Sequence, residues 1–495
     1  VPPNSDPRTN AMVSSDVVTI DTLLARLGSE TTNALGLRVI GDGSAAVNDV
    51  THDSRSVGRG TMFCCVRGER HDGHDFAASA VSGGAVALLV DHEMPSVSAT
   101  QIIARDTREA MGHLASAFFD QPSRTMTVVG VTGTNGKTTT AHMLGSIFEQ
   151  SGQRTTVLGT LSGARTTPEA PELQRTLAQE RKNGTKAVVM EVSSHALALK
   201  RVAGMHFAAA VFTNLGHDHL DFHRTHDAYF AAKASLFSKS YTARGIVNRD
   251  DPYGRKICDG SDVTITTYAH DDASDVHVDS SSSRFVWRGA EVRCAVGGEF
   301  NVANAVAAAT TAAELGISTE HIVAGLAKLP RIPGRFENVN PEGAFAVLVD
   351  YAHTPEALRN VIAAARDVAE RAASGSSRVI VVFGCGGDRD ASKRPDMGAA
   401  ACSADRVIVT SDNPRSENPR AIIDAIISGV PAQEQGKVLV EVDRRLAIDR
   451  ACSDAKPGDV VVIAGRGHET MQSIAGRDIP FSDALVAREV LAAAR

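Results

Sequence analysis

The chain has 495 residues, 43% hydrophobic and 22% charged, and a formal net charge of −7. That length leaves room for about three domains, and an acidic balance with no basic block excludes a general nucleic-acid-binding surface, so an anionic ligand must be held by local arginines. No apolar run is long enough to span a membrane, and the seven cysteines, Cys64 and Cys65 adjacent and the others far apart, give neither a disulfide framework nor a zinc spacing, which fits a reducing cytoplasm.

Residues 1–14, polar and proline-rich, read as a flexible tail rather than a signal peptide. Residues 15–123 make a small first block with a helical stretch, DTLLARLG, and the strand-like TMFCCVRG and GGAVALLVD. Residues 124–334 alternate: strand TMTVVGV, a helix from Thr138, strands KAVVMEVS and AAAVFTNL, helix AYFAAKASLF, then strands GIVNRD and VTITTYAH. This rhythm predicts a mostly parallel sheet with helices on both faces. Residues 271–284, DDASDVHVDSSSSR, are polar and serine-rich and predict an exposed loop. A helix pair, NVANAVAAATTAAELG and TEHIVAGLAKL, leads into a Pro/Gly linker, PRIPGRFE. Residues 335–495 repeat the rhythm with strands AFAVLVDYA, RVIVVFG, RVIVTSD, KVLVEVD and DVVVIAG. The predicted class is α/β in three domains: a small N-terminal α/β domain, a central phosphate-loop sheet, and a Rossmann-like C-terminal domain. Polar clusters (DYAHTP, GCGGDRD, SDNPRSE, GRGHE) follow strands of the last block, where ligands of open α/β sheets gather.

The most informative stretch is TVVGVTGTNGKTTT, residues 127–140. It reads as strand, glycine loop, helix, which aims backbone N–H groups at a phosphate. Lys137 can reach the outer phosphates and the Thr138 hydroxyl can ligate Mg²⁺, so the chain is expected to use ATP or GTP. Against the general pattern G-x-x-x-x-G-K-[ST], Val131 holds the first glycine position and Gly133 stands two residues later. Glu191, ending KAVVMEVS, is placed to bind a metal or to form a salt bridge. In TNLGHDHLDFH, His217, His219 and His223 suggest zinc, but no cysteine joins them and a nucleotide site calls for hard oxygen ligands. Lys233 interrupts an apolar helix face. It either snorkels or pairs with an acid, or burial lowers its pKa until the amine can react.

Taken together and in order, GTNGKTT, MEVSSH, TNLGHDHLDFH, AAKASLF, GEFNVANA, PGRFE, DYAHTPEAL, GCGGDRDASKRP, SDNPRSENP and AGRGHE resemble the Mur ligase family, most closely its diaminopimelate-adding members. The resemblance runs from about Asp53 to the C-terminus. The family loop reads Gly-Thr-(Asn/Ser)-Gly-Lys-Thr, so the missing first glycine agrees with it.

The resemblance implies an ATP-dependent amide ligase of peptidoglycan precursor synthesis. Its substrates would be UDP-N-acetylmuramoyl-L-alanyl-D-glutamate and meso-diaminopimelate, with ATP and Mg²⁺ as cofactors. It implies ATP contacts by Gly133, Thr134, Asn135, Gly136, Lys137, Thr138 and Thr139, with Asn301 and Asn304 facing the adenine and Arg335, Asp350 and His353 closing the site. Metal would be held by Thr138, Glu191, His219 and Lys233, the lysine as N6-carboxylysine, and Lys137, Lys233, Glu191 and His219 would be catalytic. The UDP substrate would meet Ser54, the loop Glu69, Arg70, His71 and Asp72, then Thr166, Thr167, Ser193 and Arg201. Diaminopimelate would meet Arg389, Asp412, Asn413, Pro414, Arg415, Gly465 and Glu469, with the Arg415 fork on its distal carboxylate. Arg466 stands where family members often have lysine. Alternative readings are a lysine-adding Mur ligase, a folylpolyglutamate synthase, and a regulatory ATPase that only switches conformation.

Overall fold

The computed structural model describes residues 18–68, 71–372 and 377–493. The expected tail at 1–14 and the substrate-loop residues Glu69 and Arg70 lie outside them. Three α/β units follow one another, each built on one main sheet.

The first sheet orders its strands Arg38–Ile40, Thr100–Ile103, Ala85–Val90, Thr61–Cys64 and Asp49–Thr51, all parallel except Arg38–Ile40. Helix Thr107–Phe118 covers one face. It starts where the Asp106 carboxylate accepts from the N–H groups of Arg108 and Glu109, which satisfies two donors the helix leaves open.

The central sheet runs Thr264–Tyr268, Arg244–Asn248, Ala209–Phe212, Thr127–Thr132, Ala187–Glu191 and Thr155–Leu158, all parallel. Its middle strand alternates faces. Val129 and Val131 enter one apolar cluster with helices Lys137–Gln150 and Glu299–Glu314, and Val128 enters another with Leu173, Phe207 and Phe237. Both faces are thus covered, as parallel sheets require, and each buried valine contributes about 1.5–3 kcal/mol.

One expectation is overturned here. The serine-rich stretch 271–284 is no loop: Ala273–Val278, Ser283–Trp287 and Ala290–Cys294 form a three-stranded antiparallel sheet. The serines mark its tight turn, where the Asp279 carboxylate accepts from the N–H groups of Ser281 and Ser282. Phe285, Trp287 and Val292 carry the buried face.

The third sheet runs Glu337–Asn338, Ala346–Asp350, Val460–Ala464, Val379–Phe383, Arg406–Val409 and Val438–Val440, parallel except for the first. A short hairpin, Met471–Ile474 with Arg477–Pro480, stands off it. Sequence patterning did not reveal that hairpin.

Candidate active site

The strand Thr127–Thr132 ends in the glycine loop, and the helix Lys137–Gln150 begins beyond it. Gly136, at φ 84°, caps the helix with no side-chain hydrogen bond, so the N–H groups of Lys137, Thr138 and Thr139 face the cavity. The earlier loop amides are committed elsewhere: Thr134 N–H donates to Asn214 O and Asn135 N–H to Asn214 Oδ1, at 2.9 and 2.8 Å. These two loop amides are therefore not free for a ligand, whereas those at the helix N-terminus have no side-chain cap. Lys137 Nζ folds back on the carbonyls of Gly133 and Thr134, at 2.9 and 2.8 Å.

Glu191 ends its strand directly beside this loop. Its Oε2 accepts from the Thr138 and Thr160 hydroxyls at 3.0 and 3.2 Å, and its Oε1 from the Thr160 N–H at 2.8 Å. A buried carboxylate touching the loop threonine is a hard oxygen pair that suits Mg²⁺. His219 lines the same cavity in a left-handed backbone (φ 55°), and burial lowers its imidazole to about 3, the neutral form that can ligate. His217 and His223 do not join it. His223 is buried against Ser194 Oγ at 2.9 Å, and His217 sits 3.9 Å from Asp390. No zinc-type convergence forms among the three.

Lys233 is 1% exposed. Its amine donates to Gly133 O at 2.7 Å, the same carbonyl that Lys137 uses, and lies 4.8 Å from the Tyr229 ring. Burial first, then the Lys137 charge, hold it well below the ordinary lysine range, with Asp218 opposing. A neutral amine in this position is nucleophilic.

The third unit closes the cavity, of about 250 Å³. Arg335 Nη2 donates to Thr138 Oγ1 at 3.1 Å, and Asp350 and His353 line the cavity with it. Asp218, which sequence reasoning missed, binds the two units together. Its carboxylate lies 3.4 Å from both His353 and His219 and 3.2 Å from Lys393 Nζ. Burial pushes its pKa up, but the hydrogen bond and charge of His353, with His219 and Lys393, hold it well below the usual range. Asp218 and Lys393 both stood inside quoted motifs, and a carboxylate flanked by two histidines was the available signal. Asn214, Thr160 and Tyr351 line the cavity too and were also missed.

The remaining expected residues divide. Asn304 lines the cavity, whereas Asn301 stands behind it, accepting from Asn304 Nδ2 at 3.0 Å. Thr166 and Ser193 line it as well, and Thr167 ties Ser193 to the Glu191 strand, donating to Glu191 O at 2.9 Å. Arg201 is no free fork here, since its guanidinium pairs with Glu169 at 2.7 Å. Ser54, His71 and Asp72 lie in the first unit, away from this cavity. Asp72 holds His74 Nδ1 at 2.6 Å.

A second polar site adjoins the first, joined where Gly465 N–H donates to Asp350 O at 3.1 Å. Asp412 and Asn413 are buried here, and Asn413 Nδ2 donates to Glu469 Oε2 at 2.6 Å. Gly465 (φ 108°) lies against the Asp412 carboxylate, which a side chain at this position would have to displace. Arg415, in a left-handed backbone after Pro414, donates to Gly387 O at 2.6 Å, and it flanks Gly386 together with Arg389.

Family models match three consecutive stretches: "Mur ligase family, catalytic domain" at 46–119, "Mur ligase middle domain" at 131–312, and "Mur ligase, glutamate ligase domain" at 334–467. The chain is 42% identical to UDP-N-acetylmuramoyl-L-alanyl-D-glutamate–2,6-diaminopimelate ligase of Gloeobacter violaceus, over 96% of this chain and 98% of that one. It is 40% identical to the protein of the same name from Streptomyces coelicolor, over 91% and 93%. A solved structure of a ligase of that name superposes with a TM-score of 0.66 at 30% identity, covering 97% of this chain and 99% of the other. The MurF ligase of Thermotoga maritima, at 20% identity and a TM-score of 0.61 over 89% and 96%, shares the fold. This chain belongs to the Mur ligase family.

Proposed function

We propose that the chain joins meso-diaminopimelate to UDP-N-acetylmuramoyl-L-alanyl-D-glutamate, driven by ATP, in the cytoplasm. The observation that carries this reading is the meeting, in one cavity, of the loop lysine, Glu191, Lys233 and the third-unit groups Arg335, Asp350 and His353, with the Asp412–Arg415 pocket adjoining it. The γ-phosphoryl group passes to the D-Glu side-chain carboxylate, giving an acyl phosphate and ADP. The acceptor amine attacks the acyl carbon, phosphate leaves, and the amide forms. Transfer of this kind is mostly positioning and charge neutralisation. Lys137 and the first-turn N–H groups hold the phosphates, and Arg335 adds charge from the third unit. Thr138, Glu191, His219 and a carboxylated Lys233 would hold Mg²⁺, which neutralises charge on the phosphates when bound. Burial and the Lys137 charge shift the amine of Lys233 toward the neutral form that adds CO₂. Closure of the third unit excludes water from the acyl phosphate. The test is phosphate release with ATP, the UDP-muramoyl-dipeptide, and either meso-diaminopimelate or L-lysine. Release that depends on diaminopimelate supports the reading. Release with lysine alone makes this a lysine-adding enzyme, and release with no acceptor makes it an ATPase.

A further inference from the structure

Arg466 is the least explained charge in the molecule. Its guanidinium is fully buried. Nη2 donates to the carbonyls of Met471 and Phe481 at 2.7 and 3.1 Å, and the group lies over the Phe481 ring at 5.2 Å. Nε and Nη1 have no hydrogen-bond partner among the described residues. Buried donors without partners are costly enough to need a reason.

The neighbouring charges supply one. Arg444, also fully buried, is closed on Asp483 by two hydrogen bonds of 2.7 Å, so that pair is neutral. Arg466 is left with the carboxylates of Asp412 and Glu469, and its Nε is 4.0 Å from Glu469 Oε2. Arg415 faces Glu469 as well, but it spends Nη1 on Gly387 O at 2.6 Å, and among the described residues Arg466 is the only cation that comes within 4.0 Å of the Glu469 carboxylate. Without Arg466, two half-desolvated carboxylates would repel and one would take a proton.

We propose that Arg466 is a positioning residue of the acceptor pocket, whose buried charge keeps Glu469 ionised to receive the ammonium group of the incoming amino acid. This inference rests on reading residues 412–415 and 465–469 as that pocket. The groups facing Glu469 are Asp412, Arg415, Arg444, Arg466, the Tyr351 phenol and the Asn413 amide. Burial first, then Asp412, hold the Glu469 pKa above the ordinary glutamate value, while Asn413, Arg466 and Arg415 limit that rise. Removing Arg466 tips that balance toward the protonated acid, which offers an ammonium no charge.

The experiment is the KM for meso-diaminopimelate between about pH 6 and 8.5 in wild type, Arg466→Gln, Arg466→Met and Arg466→Lys. In the two neutral variants the KM rises as pH falls, approaching about tenfold for each pH unit below the Glu469 pKa, and falls back as pH rises. The KM for ATP does not follow, and Arg466→Lys keeps the flat wild-type profile. A rise by the same factor at every pH, or none, overturns the proposal. Carboxyl ¹³C difference spectra of wild type against Glu469→Gln test it without touching Arg466, and a protonated Glu469 near neutral pH overturns it. Glu469→Gln itself separates the two readings. If it leaves the acceptor KM unchanged, the pocket reading falls. If it raises that KM while the Arg466 variants show no pH dependence, only the role of Arg466 falls.

Discussion

Lys137 and Lys233 share one carbonyl acceptor yet have different tasks. Lys137 bonds only loop carbonyls, so Lys137→Ala leaves the melting temperature close to wild type while kcat falls about 10²–10³-fold, the scale of losing one charge-stabilising donor. Melting curves beside phosphate release check both halves. For Lys233→Ala, turnover collapses, and added acetate or formate restores part of it by standing in for the carbamate; full activity without either anion rules out that role. Arg415→Ala raises the KM for diaminopimelate by a factor corresponding to roughly 2–5 kcal/mol, the cost of leaving a buried charge unpaired. It leaves the KM for ATP near wild type and narrows the preference over lysine, and steady-state kinetics on both acceptors decides it. His223 makes a different prediction. It is buried, and burial is the largest cause lowering its pKa to about 4. Below the unfolded value of about 6.5 the unfolded chain takes up a proton that the folded one refuses, so stability falls with pH by about 1.4 kcal/mol per unit until the folded pKa is reached. Denaturant midpoints between those limits should fall less steeply with acid in His223→Gln than in wild type.

At the scale of elements, much was legible because period and punctuation are local properties. The phosphate loop, the β-branched runs of both large sheets and the helix pair Glu299–Glu314 and Thr319–Ala327 all follow from patterning. The stretch 273–294 was not legible, because short amphipathic strands joined by an Asp-Ser turn have the composition of a loop until their alternate residues find a core. Helix contact gives the prediction at this scale. Gly325 lies directly on the backbone of Ile147, and Ser146 Oγ donates to Gly325 O at 2.6 Å. Gly325→Ala overpacks that crossing by about 1–3 kcal/mol, and the melting midpoint drops by about 2–4 °C per kcal/mol. An unchanged midpoint would mean the two helices separate freely.

In the whole molecule the cavity beside the glycine loop is lined by both the central and the third units, and Asp218 is a charge on which the two meet. Lys393 and Asp218 are 175 residues apart, and both are buried by the contact. Asp218→Asn weakens that contact, so the ligand-free enzyme opens. Small-angle scattering should show a larger radius of gyration, and kcat should fall more than the affinity for ATP. An unchanged radius would place closure on other contacts. By itself the sequence determined the α/β class, the order of the three units, the phosphate loop and the polar clusters behind each strand, because these depend on residues near one another along the chain. Only the tertiary structure decided which clusters share a cavity. It put Asp218 between His353 and Lys393, set Asn301 behind Asn304, paired Arg201 with Glu169 and buried Arg466 beside Glu469. Such pairings depend on how whole sheets pack, and burial then sets the charge state of each group, which no local pattern encodes.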